Sequence, residues 1–154
     1  MILPGQVAGQ RCAMWPLAYE LPPLAPFDSV PSIARSHLAA TLVIWHLGVL
    51  AEDAALVVSE LVTNAVKASV NTDGNPRYLD GGRMPMVGMR LLSDGSRLLI
   101  EVYDQAPERP VMLAAGSGDE TGRGLSIVHA LTRGRWGWSE VRGGKCVWAE
   151  LSAG

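Results

Sequence analysis

Ser59-Glu60-Leu61-Val62-Thr63-Asn64-Ala65-Val66-Lys67-Ala68-Ser69 decides how the rest of the chain is read. It lies in a stretch from about Ala51 to Val70 that holds no glycine or proline. Glu52 and Asp53 come early in that stretch, where a helix dipole favours negative charge. Read as a helix at about 100° per residue, it puts Glu60, Asn64 and Lys67 within an arc of about 60°. Val57, Leu61, Ala65 and Ala68 form an apolar stripe beside them. One helix edge therefore offers a carboxylate, an amide and an ammonium, while its neighbour is anchored in a core. The amide oxygen of Asn64 is a hard ligand suited to Mg²⁺. Glu60 can hold a metal-bound water or take a proton from an attacking hydroxyl, and Lys67 can offset phosphate charge. On this helix alone, a solvated edge with an ordinary i,i+4 polar pair is the commoner reading.

Downstream, Asn71-Thr72-Asp73-Gly74-Asn75-Pro76 opens a polar loop that runs to Arg83. Two strands, Met86–Leu92 and Arg97–Tyr103, then flank the turn Ser93-Asp94-Gly95-Ser96. The second delivers Asp104 at its end. A buried carboxylate there accepts a hydrogen bond from the exocyclic amine of adenine, whereas guanine would set a carbonyl against it. A strand-terminal Asp also caps turns, which is the plainer role. Residues 104–121 hold Pro107, Pro110, Gly116 and Gly118 and read as a loop. Thr121-Gly122-Arg123-Gly124-Leu125 follows, with a helix expected from near Gly124 to about Arg133. Free amides at a helix start attract phosphate, and glycines let the backbone approach closely.

The flanks complete the fold. Residues 1–26 hold five prolines and are expected to form an extended arm with one strand near Ala13–Glu20. Asp28 and Ser29 are candidate caps for a helix with Pro31 in its first turn, which Gly48 would end. Trp136–Val141 and Cys146–Leu151 read as strands around the turn Arg142-Gly143-Gly144-Lys145. The expectation is a domain over 27–154 of the α+β class: a two-layer sandwich, its largely antiparallel mixed sheet covered by helices on one face.

Composition narrows the function classes. The chain has 154 residues, 48% of them apolar, the size and makeup of one packed domain. A formal net charge of −2 gives no basic excess for a nucleic-acid partner. Cys12 and Cys146 fit neither a zinc spacing nor a disulfide framework and read as free thiols. His37, His46 and His129 lack ligand spacing and read as ordinary helix residues. Gly143-Gly144-Lys145 lacks the preceding glycine and following hydroxyl residue of a phosphate-binding P-loop. Trp136, Trp138 and Trp148 are expected in the core. With no signal-like start and no apolar span long enough for a bilayer, a cytoplasmic protein without membrane contact is expected.

Taken in order, Glu-x-x-x-Asn on a helix, a hairpin, a strand-end Asp, a loop and Gly-x-Gly at a helix resemble the histidine-kinase-like (GHKL) ATPases. The sequence is most similar to the anti-sigma-factor serine/threonine kinases and their actinobacterial ATP-binding regulatory relatives. That resemblance covers about residues 27–152 and includes the Ser59–Ala65 heptapeptide, Gly122-Arg123-Gly124-Leu125 and Gly143-Gly144-Lys145-Cys146-Val147-Trp148. It implies that Asn64 binds Mg²⁺, that Glu60 is the general base, and that Asp104 recognises adenine. It also implies that Thr121, Gly122, Arg123, Gly124 and Leu125 join Lys67 around the phosphates of ATP, with residues 108–121 as a lid. Such kinases phosphorylate an anti-anti-sigma (STAS) partner, bind a sigma factor, and in many members form homodimers.

Two departures stand out. The family's Asp-x-Gly-x-Gly reads Asp104-Gln105-Ala106-Pro107-Glu108 here, without either glycine. Lys67 stands where the serine kinases often carry histidine or arginine. The missing glycines support an alternative, a non-catalytic module that binds its protein partner in one nucleotide state. The third reading is an α+β domain that binds no nucleotide.

Overall fold

The computed structural model describes residues 14–108 and 120–154. Its strands are β1 (Leu17–Leu24), β2 (Val87–Ser93), β3 (Arg97–Asp104), β4 (Trp136–Val141) and β5 (Gly144–Ser152). Its helices are α1 (Val30–Ile44), α2 (Ala51–Ala68) and α3 (Glu120–Thr132), with short 3₁₀ turns at Gly48–Leu50 and Asp80–Gly82. The class is α+β, as expected. The strands form one sheet in the order β1-β2-β3-β5-β4. Every pairing is antiparallel, so among the described residues the sheet has no parallel pair and is not mixed.

The alternation of β3 divides the molecule into two layers. Leu98, Ile100 and Val102 face the helices with Met89 and Leu91 of β2 and Val147, Ala149 and Leu151 of β5. Helix α2 supplies the other half of this core through Val57, Val58, Leu61, Val62 and Ala65. It lies over the central strands, with α1 and α3 on either side of it. Trp136 and Trp138 pack against the same core, whereas Trp148 packs on the opposite face with Trp15, Leu92 and Leu99.

Three element boundaries move for local reasons. The first strand lies at Leu17–Leu24, later than expected, and pairs with β2 as the sheet edge. It tolerates Pro22 and Pro23 because its register shifts between Leu21 and Leu24 and an edge strand leaves one side of its N–H groups unpaired. Helix α1 stops at Ile44, ahead of Gly48. His46 takes a left-handed φ of 57°, and the Leu47 N–H donates to the Leu42 carbonyl at 2.9 Å, the closing bond of a Schellman end. Ser29 does occupy the N-cap of α1, yet its hydroxyl makes no capping bond. Tyr19 Oη and His37 Nδ1 hydrogen bond, fastening β1 to α1. The third helix begins at Glu120, so Gly122-Arg123-Gly124 lies inside its first two turns instead of ahead of it.

Both hairpin turns form where expected. Asp94 accepts the Ser96 and Arg97 amides, which hold its carboxyl well below the usual carboxylate range. The β4–β5 turn is tighter than expected: Val141 pairs with Gly144, which leaves Arg142-Gly143 as a two-residue loop with Gly143 at φ 82°. Lys145 is thereby a strand residue. Among the described residues no helix is long and apolar enough to cross a membrane.

Candidate functional site

Helix α2 turns its apolar stripe into the core, and this orients its polar edge towards the gap between α2, α3 and the sheet. A cavity of about 250 Å³ opens there. Its apolar walls are Leu61 and Ala65 of α2, Val102 of β3, Leu125 of α3 and Val147 of β5. Its polar groups are Asn64, Lys67, Asp104, Glu108 and Lys145. A second cavity, about 290 Å³, shares Asn64 and Lys67 and adds Ser59, Glu60, Thr63, Gly124 and Ile127. The structure thus brings Asn64, Lys67, Asp104 and Leu125 together in one cavity, and Glu60 and Gly124 in the adjoining one. Glu60 and Asp104 share neither.

Asn64 is the most telling group. Its Nδ2 is buried and has no hydrogen-bond partner among the described residues. A buried polar atom left this way costs about 1–3 kcal/mol, and native structures rarely carry one without a use for it. Turning the amide about its last torsion exchanges nitrogen for oxygen, so the same position can present an acceptor to a cation.

Asp104 closes β3 and is 4% exposed; Lys145, its cross-strand partner on β5, is 6% exposed. Lys145 Nζ donates to Asp104 Oδ1 at 2.7 Å and to the Ala106 carbonyl at 3.4 Å. The Ala106 N–H also donates to Oδ1, at 2.9 Å. Burial pushes the Asp104 carboxyl up, and the hydrogen bond and charge of Lys145 only partly pull it back. The expected glycine at 106 is unnecessary in this path. Among the described non-glycine residues a positive φ occurs only at His46 and Arg133, so the chain leaves β3 through ordinary backbone. A close approach does occur at Gly144, where a Cβ would strike the Asp104 carbonyl and the Gln105 Cα.

At the cavity mouth Glu108 pairs with Arg77, which also donates to the Ala68 carbonyl at the end of α2. Burial pushes the Glu108 carboxyl up, but the Arg77 hydrogen bond and charge, a backbone hydrogen bond and the Lys145 charge together leave it below the ordinary range. Across the second cavity, a Cβ at Gly124 would collide with Glu60 Oε2, so glycine there lets the α3 backbone sit directly against the Glu60 carboxylate. The side chains at 121–123, and the part of the expected lid at 109–119, lie outside the described residues.

Lys145, Arg77 and Glu108 are not among the candidate site residues that the sequence offers. A signal for Lys145 existed: it has the parity of Val147, Ala149 and Leu151 on one strand, hence the helix-facing side. Arg77 and Glu108 sit in irregular segments with no period to read.

No protein-family model matches the sequence, and no curated protein matches it.

Proposed function

We propose that the chain is an ATP-binding regulatory protein with a histidine-kinase-like ATPase fold. In this reading it acts as an anti-sigma-factor-type serine/threonine kinase on an anti-anti-sigma (STAS) partner. The observation that carries the proposal is the shared cavity: Asn64, whose Nδ2 has no partner among the described residues, and Asp104 line the same 250 Å³ space. Leu61, Ala65, Val102, Leu125 and Val147 suit the faces of a purine ring, and Asp104 suits its amine. The triphosphate then runs along the α2 edge, past Lys67, towards the amides of the first turn of α3.

The residues present fit Mg²⁺. Asn64 would supply the protein oxygen to a Mg²⁺–phosphate complex, which keeps several waters, and the Glu60 carboxylate one helical turn away stands where it can hold one of those waters. When bound, the ion neutralises phosphate charge. Positioning and charge neutralisation account for most phosphoryl-transfer catalysis. Glu60 accepts the proton of the partner's serine or threonine hydroxyl, whose oxygen forms the new bond to the γ-phosphorus as the bond to the β-phosphate oxygen breaks and ADP leaves. Gly124 keeps the α3 backbone close enough to hold that carboxylate in place. A sigma factor and a second copy of the chain are the further partners in this proposal, with the cytoplasm as its location.

Incubation of the full chain with γ-labelled ATP, Mg²⁺ and a STAS-domain protein tests it. Label on the STAS protein, lost in Glu60→Ala while ATP binding persists, is the expected result. Complex formation without label favours the non-catalytic module, and equal transfer by Glu60→Ala removes the base role.

A further inference from the structure

Among the described residues Lys145 keeps one N–H and Asp104 one oxygen unused, and both line the same cavity. An ammonium has three N–H donors. Lys145 gives one to Asp104 Oδ1 and one to the Ala106 carbonyl, and the third has no acceptor among the described residues. Asp104 Oδ1 takes two hydrogen bonds, from Lys145 and from the Ala106 N–H, while Oδ2 takes none among the described residues. The pair therefore presents one donor beside one acceptor to the cavity.

We propose that Lys145 is a specificity-determining residue of this site: its third N–H donates to ring nitrogen N1 of adenine while Asp104 Oδ2 accepts from the 6-amino group. The assignment rests on the cavity being a nucleotide site, as argued above. The adenine edge carries a donor next to an acceptor, the complement of this pair. Guanine carries an acceptor, O6, and a donor, N1–H, and could meet the same two groups in exchanged order. It also brings a second donor, its 2-amino group, and a carboxylate reads those two donors with both oxygens. Oδ1 is already taken twice, so one guanine donor would be left unpaired against a buried wall. Hypoxanthine lacks the 2-amino group and escapes that penalty. With Asp104 reading the base alone, the 6-carbonyl would exclude guanine and hypoxanthine equally. With Lys145 present, hypoxanthine is the better tolerated of the two.

The test is a calorimetric titration of the full chain, in Mg²⁺, with ATP, 1-deaza-ATP, ITP and GTP, for wild type and Lys145→Met. In 1-deaza-ATP a C–H replaces N1. Wild type is expected to bind it about ten- to a hundred-fold more weakly than ATP, the range for losing a hydrogen bond to a charged group. It is also expected to bind ITP more tightly than GTP. Lys145→Met is expected to bind ATP and 1-deaza-ATP alike. Should that variant fail to fold, the analogues on wild type carry the test alone. Equal wild-type affinity for ATP and 1-deaza-ATP overturns the Lys145 assignment and leaves the nucleotide site standing. No binding of ATP at all overturns the nucleotide reading, and the assignment with it.

Discussion

Strand β3 buries two carboxylates three residues apart, on opposite faces of the sheet. Glu101, on the helix-free face, is 0% exposed, and its Oε1 takes Arg90 Nε at 3.0 Å and Nη2 at 2.9 Å. Cys146 Sγ reaches its other oxygen at 4.0 Å, and Tyr103 Oη accepts from the same guanidinium at 3.1 Å. Both oxygens of that carboxylate are engaged. Burial, first, and then the Glu101 charge push the Tyr103 phenol up, away from ionising. Asp104, on the helix face, is nearly as buried but has one oxygen doubly used and the other unused among the described residues, beside a cavity. A saturated pair fixes a structure, and an unsaturated pair beside open space is equipped to meet a ligand. Burial and charge alone would not have told the two apart; the hydrogen-bond accounting does.

Breaking the two pairs should give opposite signatures. Arg90→Met leaves Glu101 uncompensated and is expected to cost about 3–5 kcal/mol in denaturant unfolding, while the folded fraction binds ATP as wild type does. Asp104→Asn should weaken ATP binding by about 1.5–3 kcal/mol, the worth of a hydrogen bond to a charged group, as read by calorimetry. Lys145→Met should cost about 1–3 kcal/mol of stability at neutral pH, because Asp104 keeps the Ala106 N–H and opens onto the cavity.

The pH dependence of that last cost sharpens the contrast. Removing Lys145 removes the hydrogen bond and the charge that most lower the Asp104 pKa and leaves burial opposed only by the Ala106 N–H, so the folded pKa climbs further. A carboxyl raised in the folded state contributes stability that is fully present below its unfolded pKa and is lost as pH rises through the folded one. The deficit of Lys145→Met should therefore shrink on acidification below neutral, as followed by unfolding curves across pH. A deficit independent of pH would mean that Asp104 is not the group left exposed to burial.

Gly124→Ala gives the smallest expected effect. Alanine favours a helix by up to about 1 kcal/mol, and the atom it displaces is the far end of a flexible side chain. Unfolding should change by less than about 1 kcal/mol, while phosphotransfer to the partner falls because the Glu60 carboxylate must move. Unchanged transfer would separate Gly124 from the positioning of Glu60.

Much of this was readable in the sequence where a period or a turn rule applies. The 3.6-residue stripe of α2 placed Asn64 on the edge that lines the cavity, and the Asp94-Gly95 and Gly143 turns placed both hairpins. Legibility failed where tertiary contact overrides local preference. His46 took the left-handed position that Gly48 was expected to provide. The two-proline strand β1 survives because it lies at the sheet edge, which composition does not reveal. Lys145 was hidden by a turn read two residues too long, and Arg77–Glu108 joins segments with no regular period.

Asn64→Ala tests the central claim most directly. Its amide has no partner to lose among the described residues, so the expected unfolding midpoint equals or exceeds that of wild type. Titration of ATP should show saturable binding by wild type in Mg²⁺, and the variant should lose the part of that binding which EDTA abolishes in wild type. A variant that binds ATP in Mg²⁺ as tightly as wild type, or that is itself strongly destabilised, would contradict it.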